Sequence, residues 1–142
     1  MLDKNFIYIL TSLQCIESTL SYAENLHTAN DFLWANRRMN YNATLSQLLV
    51  LGEEIKKIDN ILKVDKNIPW RAIQGLRNRI AHDYRGTDFE VIFDIVKNEL
   101  SPLKNALILM LEKITIDEND FNEILKSPYY SDLIYLKNKY FL

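Results

Sequence analysis

The chain has 142 residues, a charged fraction of 25% and a hydrophobic fraction of 48%, the profile of one soluble globular domain long enough to bury a real core. Its net charge of −2 argues against a general DNA-coating protein, which needs an extended basic face, but leaves room for a small local phosphate site. One cysteine, Cys15, cannot form an internal disulfide and suits a reducing cytosol; no apolar run approaches the ~18–20 residues of a membrane span and Met1-Leu2-Asp3-Lys4 lacks a signal-peptide start, so the expected location is cytoplasmic.

Three glycines and three prolines suit long helices better than strands and turns. From Phe6 to Leu26 apolar residues recur at spacings of three and four, one face of an amphipathic helix that Asp3 can cap and that carries Cys15 as a small buried thiol. Asn30 or Asp31 can cap a short segment through Phe32 and Trp34. A second long helix is predicted over 41–62, with Leu45, Leu48, Leu49, Gly52, Ile55, Ile58 and Ile61 inward. Glycine in mid-helix costs about 1 kcal/mol relative to alanine, so Gly52 marks close helix packing. Pro69 suits the first turn of a third helix over 70–83. Gly86 ends it, and Thr87-Asp88-Phe89-Glu90 reads as a capping box for a fourth helix burying Phe89, Ile92, Phe93, Val96 and Leu100. Ser101-Pro102 should kink or restart that helix before residues 103–114. Short helices over 117–126 and 131–141 follow, with Tyr129, Tyr130, Tyr135, Tyr140 and Phe141 available to dock on the bundle or on a partner. Trp34 and Trp70 are expected in the core. The predicted architecture is all-α: a bundle of four main helices over residues 1–114 and a C-terminal helical extension over 115–142.

Arg77-Asn78-Arg79-Ile80-Ala81-His82-Asp83-Tyr84 is the most informative stretch. Four of the six arginines (Arg71, Arg77, Arg79, Arg85) fall within fifteen residues, with Arg37 and Arg38 apart from them. An imidazole moves protons near neutral pH, and a guanidinium grips phosphate oxygens in a planar fork; together they can cleave a phosphodiester without a metal. A His or Arg alone in a helix is usually a surface ion-pair partner. Here Asn78 and His82 stand four apart, so the amide could orient the imidazole, and the motif leads into a helix N-terminus whose amides favour an anion. Arg77 and His82, however, are five apart, roughly 140° around a regular helix. Either the helix kinks after Arg79, or two copies share the site across a two-fold axis; the second is favoured. His27 reads as a surface histidine, and Glu53-Glu54, which could form a general acid–base pair, as a solvated helix face. No Walker, Rossmann or zinc pattern is present, and no cofactor is expected.

At these residues the chain resembles the HEPN superfamily of ribonucleases, and within it the HepT toxins, whose pattern is arginine, four residues, histidine, one residue, tyrosine. Arg77, His82 and Tyr84 match it without a gap, with Asn78 in the polar slot. Leu51-Gly52-Glu53-Glu54, Ile68-Pro69-Trp70-Arg71, Gly75-Leu76-Arg77-Asn78-Arg79 and residues 88–102 also resemble HepT segments in order, over about residues 5–112. Arg85 departs from the apolar or aromatic residue expected after the tyrosine. The resemblance implies an all-helical homodimer that is a metal-independent endoribonuclease, the toxin of a type VII toxin–antitoxin pair acting on tRNA or mRNA. Its implied partner is MntA, a minimal nucleotidyltransferase that silences the toxin by attaching AMP to the motif tyrosine, here Tyr84. On that reading Arg77, His82 and Asn78 are catalytic, Arg71, Arg79 and Arg85 bind RNA phosphates, and Glu53 or Glu54, if the family fold holds, faces the cleft and orients Arg77. The alternative is a non-catalytic adaptor that binds nucleotides or a nucleotidyltransferase.

Overall fold

The computed structural model describes residues 2–82 and 88–140, without the side chains of Ala81, His82, Asn138 and Tyr140. Its described residues form helices and turns only: α1 (Lys4–Tyr22), α2 (Ala29–Trp34), α3 (Met39–Lys57), α4 (Trp70–Gln74), α5 (Leu76–His82), α6 (Phe89–Asp94), α7 (Leu100–Leu111), α8 (Glu118–Leu125) and α9 (Ile134–Tyr140). The all-α expectation therefore holds. α1 is the central element. It packs on α3, on α7 and on the tail, and its stripe Phe6, Ile9, Leu10, Leu13 and Ile16 is fully buried. Asp3 caps it as expected, accepting the Asn5 amide at 2.8 Å. Cys15 is buried among these residues. Burial pushes its thiol up to about 11, against the lowering effect of a Tyr129 hydrogen bond, so it is neutral and inert as a nucleophile.

Several local expectations need correcting. Thr28, not Asn30 or Asp31, caps α2: its hydroxyl accepts the Asp31 amide at 3.0 Å, which places Asp31 in the first turn, where the helix dipole favours it. α3 stops at Lys57 because Ile58 turns extended. Asp59 then exchanges bonds with Asn5, its amide donating to Asn5 Oδ1 at 3.0 Å and its carboxylate accepting from Asn5 Nδ2 at 3.1 Å. Beyond that tie Ile61 is turned outward at 81% exposure rather than inward. Trp34 is likewise 59% exposed, outside the core. Trp70 is half-buried, its indole N–H donating to the Asp65 carbonyl at 2.9 Å.

The third helix is two pieces, α4 and α5, divided at Gly75, and Pro69 is the residue before α4 rather than its first turn. Asp88 caps α6 by accepting the Glu90 amide at 2.9 Å; Thr87, the other expected capping-box member, lies outside the described residues. Ser101-Pro102 does not break the following helix. Pro102, which has no N–H to donate, follows a π-helical turn at Ile95–Glu99 where the regular α-helical bonding is already interrupted.

The tail lies against α1. Phe121 stacks on Phe6 with ring centroids 5.5 Å apart, and Leu133 and Leu136 are fully buried. The Tyr130 and Thr11 hydroxyls meet at 2.9 Å, and Gln14 Nε2 donates to the Asp132 carboxylate at 2.8 Å. Lys104 joins three elements, pairing with Glu17 of α1 while lying 5.0 Å from the Tyr135 ring.

Candidate active site

α4 and α5 carry the cationic segment on an amphipathic face. Ile73, Leu76 and Ile80 are buried, at helical spacing, while Arg71, Arg77, Asn78 and Arg79 are exposed. Burying that apolar stripe against α3 leaves the polar side of the motif in water. The approach of α3 is unusually close. A Cβ on Gly52 would stand 2.9 Å from the Ile73 carbonyl oxygen, 3.6 Å from Leu76 Cβ and 3.7 Å from the Arg77 nitrogen, so only glycine lets α3 seat at this distance. The reading of Gly52 as a packing glycine is correct.

At the next residue, Glu53 reaches the motif. Its Oε1 lies 3.6 Å from Arg77 Nε, with side chains 41% and 58% exposed respectively. At that length it is an ion pair rather than a hydrogen bond. In this half-solvated setting it contributes at most ~1 kcal/mol to stability; its consequence is orientation, since the guanidinium is tethered on its Nε side while more than half of the side chain stays open to solvent. Glu54, the other carboxylate, turns to Lys57 at 2.9 Å. The sequence signal for Glu53 was its place beside Gly52, which puts it next to whatever helix that glycine admits.

α5 is α-helical without interruption from Leu76 to His82. No break in the helix after Arg79, the first of the two ways to bring Arg77 and His82 together, is seen among the described residues. The two residues diverge by roughly 140° about the α5 axis. Arg79, two residues from Arg77 and so about 160° away around the helix, lines a different feature, a cavity of about 190 Å³ shared with Leu51, Val91, Asp94, Ile95 and Glu99. Arg77 and Arg79 thus serve opposite sides of α5. The His82 side chain, Tyr84 and Arg85 lie outside the described residues.

A family model described as "Ribonuclease HepT-like" matches residues 12–110, from the middle of α1 through α7 and including the whole cationic segment. The chain belongs to the HepT-like ribonuclease family. A Methanocaldococcus jannaschii protein provisionally named an RNase is 30% identical over 93 residues, covering 58% of this chain and 85% of that protein. A second from the same organism, named likewise, is 27% identical over 118 residues, 82% of this chain and 93% of its own. A Thermococcus cleftensis protein provisionally named a HepT ribonuclease is 35% identical over 63 residues, 44% of this chain and 57% of its own. No solved structure matches. The resemblance of the chain to HEPN and HepT ribonucleases is thus confirmed at the level of the family, and the tail (α8 and α9) lies beyond the matched segment.

Proposed function

We propose that this protein is a metal-independent endoribonuclease, the toxin of a toxin–antitoxin pair, and that it cuts RNA with Arg77, Asn78 and His82 at sites shared between two copies. The observation that carries the reading is the pairing of Glu53 with Arg77 on an exposed helix in a chain of the HepT-like ribonuclease family. His82 is the general acid or base on the ribose 2′-hydroxyl or the leaving 5′-oxygen. Arg77 holds the scissile phosphate and stabilises the charge that grows on it in the transition state. Asn78, four residues before His82 and exposed, orients the imidazole or the phosphate. Arg71 and Arg85 add phosphate affinity, as does Arg79 along the other side of α5.

Support for a composite site comes from the unbroken α5: positions 77 and 82 of one straight helix stand roughly 140° apart, whereas a two-fold axis beside it brings Arg77 of one protomer near His82 of the other. Control falls to Tyr84, two residues beyond the imidazole. An AMP attached to its phenol by a nucleotidyltransferase antitoxin of the MntA type, with ATP, carries a negative charge into the phosphate site and blocks RNA.

The test is incubation of purified protein with tRNA and mRNA in EDTA. Cleavage by the wild type and its loss in His82→Ala, by ~10²- to 10⁴-fold with helicity retained, is expected. Cleavage that needs added magnesium, or that persists in His82→Ala, overturns the mechanism. Mixing Arg77→Ala with His82→Ala protein restores one complete site per heterodimer if the site is composite. Intact-mass spectra after co-expression with the nucleotidyltransferase should find AMP on Tyr84 and not in a Tyr84→Phe variant.

A further inference from the structure

The most strained backbone among the described residues lies far from the motif. Asn36, Arg37 and Arg38 all have positive φ, at 49°, 58° and 73°, three consecutive residues in a region that side chains other than glycine rarely occupy. The turn is held in place. Asn36 Nδ2 donates to Asn40 Oδ1 at 2.8 Å, and Asn40 Nδ2 donates in turn to the Tyr22 carbonyl at the end of α1 at 2.7 Å. The left-handed path pushes Arg37 and Arg38 out beside two exposed apolar residues, Trp34 at 59% and Met39 at 67% exposure. Arg38 is fixed against aromatic rings, its guanidinium carbon 6.0 Å from the Trp34 centroid and 5.9 Å from that of Tyr41. Neither arginine pairs with a carboxylate among the described residues.

A pair of unneutralised guanidinium groups, one of them over an exposed indole, is the combination that binds single-stranded nucleic acid, phosphates on the cations and an unpaired base on the free face of the ring. Its placement fits the same substrate as the motif. Met39 begins α3 and Glu53, which holds Arg77, lies fourteen residues on, about 21 Å along the axis and within about 40° around it. Met39, at the end of the turn, and Glu53 therefore share one side of α3, separated by the length of about six stacked nucleotides at ~3.4 Å each. We infer that the Trp34–Met39 turn is a second RNA-binding surface, which stacks one unpaired base on Trp34 and holds flanking phosphates on Arg37 and Arg38, several nucleotides from the cut. This rests on the ribonuclease reading for its substrate. Trp and Arg also anchor protein interfaces, but two adjacent like charges with only two apolar side chains beside them make a poor core for a protein interface, which buries ~800 Å² per partner.

The experiment separates binding from cutting. A 12-nucleotide 2′-O-methyl oligonucleotide, which has no free 2′-hydroxyl to attack, is titrated into the protein while tryptophan fluorescence and anisotropy are followed. Binding should quench Trp34, and Trp34→Ala should weaken it roughly 5- to 150-fold, the effect of losing one stacked base. Trp34→Phe should retain most of the affinity. Arg37→Ala/Arg38→Ala should lower the slope of log affinity against log salt by about 1.4, at ~0.7 for each single-strand phosphate that is no longer neutralised. Since Trp34 is mostly exposed, circular dichroism should show each variant folded. Unchanged affinity in Trp34→Ala and in the double variant overturns the inference, even if RNA is still cut. So does a change confined to oligomeric mass by light scattering, which would make the turn a protein interface. Quenching by the oligonucleotide in a protein that cuts no RNA would leave this surface standing and remove the nuclease reading instead.

Discussion

Adding one methyl group at Gly52 tests how far the geometry of the motif depends on the approach of α3. In Gly52→Ala the new Cβ would lie 2.9 Å from the Ile73 carbonyl oxygen, a backbone atom that cannot rotate away. Overpacking of this kind costs about 1–3 kcal/mol, while alanine in mid-helix recovers about 1 kcal/mol relative to glycine. The net destabilisation is then about 0–2 kcal/mol, a fall in Tm of up to ~6 °C at roughly 3 °C per kcal/mol for a chain of this size. The effect on cleavage should be larger. α3 carries Glu53 and α5 carries Arg77, so separating the helices by a few tenths of an ångström lengthens a pair already at 3.6 Å and, on the proposed mechanism, moves the guanidinium relative to the scissile phosphate. Misplacement of a catalytic group by about 1 Å can cost 10²-fold, and a several-fold to tenfold loss of kcat is expected here. Thermal unfolding by circular dichroism and single-turnover cleavage of a labelled RNA measure the two quantities. A higher Tm with unchanged cleavage, the outcome of helix propensity acting alone, would refute the claim that Gly52 sets the position of the motif.

Glu53→Gln should leave Tm within about 3 °C, because an exposed ion pair contributes at most ~1 kcal/mol, yet lower kcat, by less than Arg77→Ala does; equal activity of wild type and Glu53→Gln would show that the pair does not position Arg77. Leu133→Ala empties a fully buried site between the tail and α1, at a cost of about 2–5 kcal/mol visible as a lower midpoint in urea, and an unchanged midpoint would mean that the tail does not share the core. The Asp59 carboxyl is held below its ordinary range first by the Asn5 amide and then by Lys4, against partial desolvation. A carboxyl with a lowered folded pKa stabilises above its unfolded value of ~3.9 and loses that contribution as pH falls through the folded value. Asp59→Asn should therefore be less stable than wild type at pH 7, the difference shrinking below about pH 4; a difference constant with pH would contradict this.

Features set by a residue and its near neighbours were legible in the sequence. The buried stripe of α1 follows from three- and four-residue spacing, Asp3 caps because its carboxylate reaches the Asn5 amide two residues on, and a glycine in the middle of α3 announces a close neighbour. The same local reasoning placed Arg77 and Asn78 on an exposed helical segment. It failed where distant chain decides. Ile61 continues the spacing of α3, but the Asn5–Asp59 exchange ends that helix first and turns the side chain to water. Trp34 is apolar enough for a core, but a left-handed turn tied back to Tyr22 holds it at the surface. Ser101-Pro102 was expected to kink or restart the fourth helix, and the irregularity is a π turn just upstream at Ile95–Glu99 instead. Glu53 and Arg77 are twenty-four residues apart, and no spacing rule couples residues on different helices; only the seating of α3 on α5 decided which of two adjacent carboxylates meets the guanidinium.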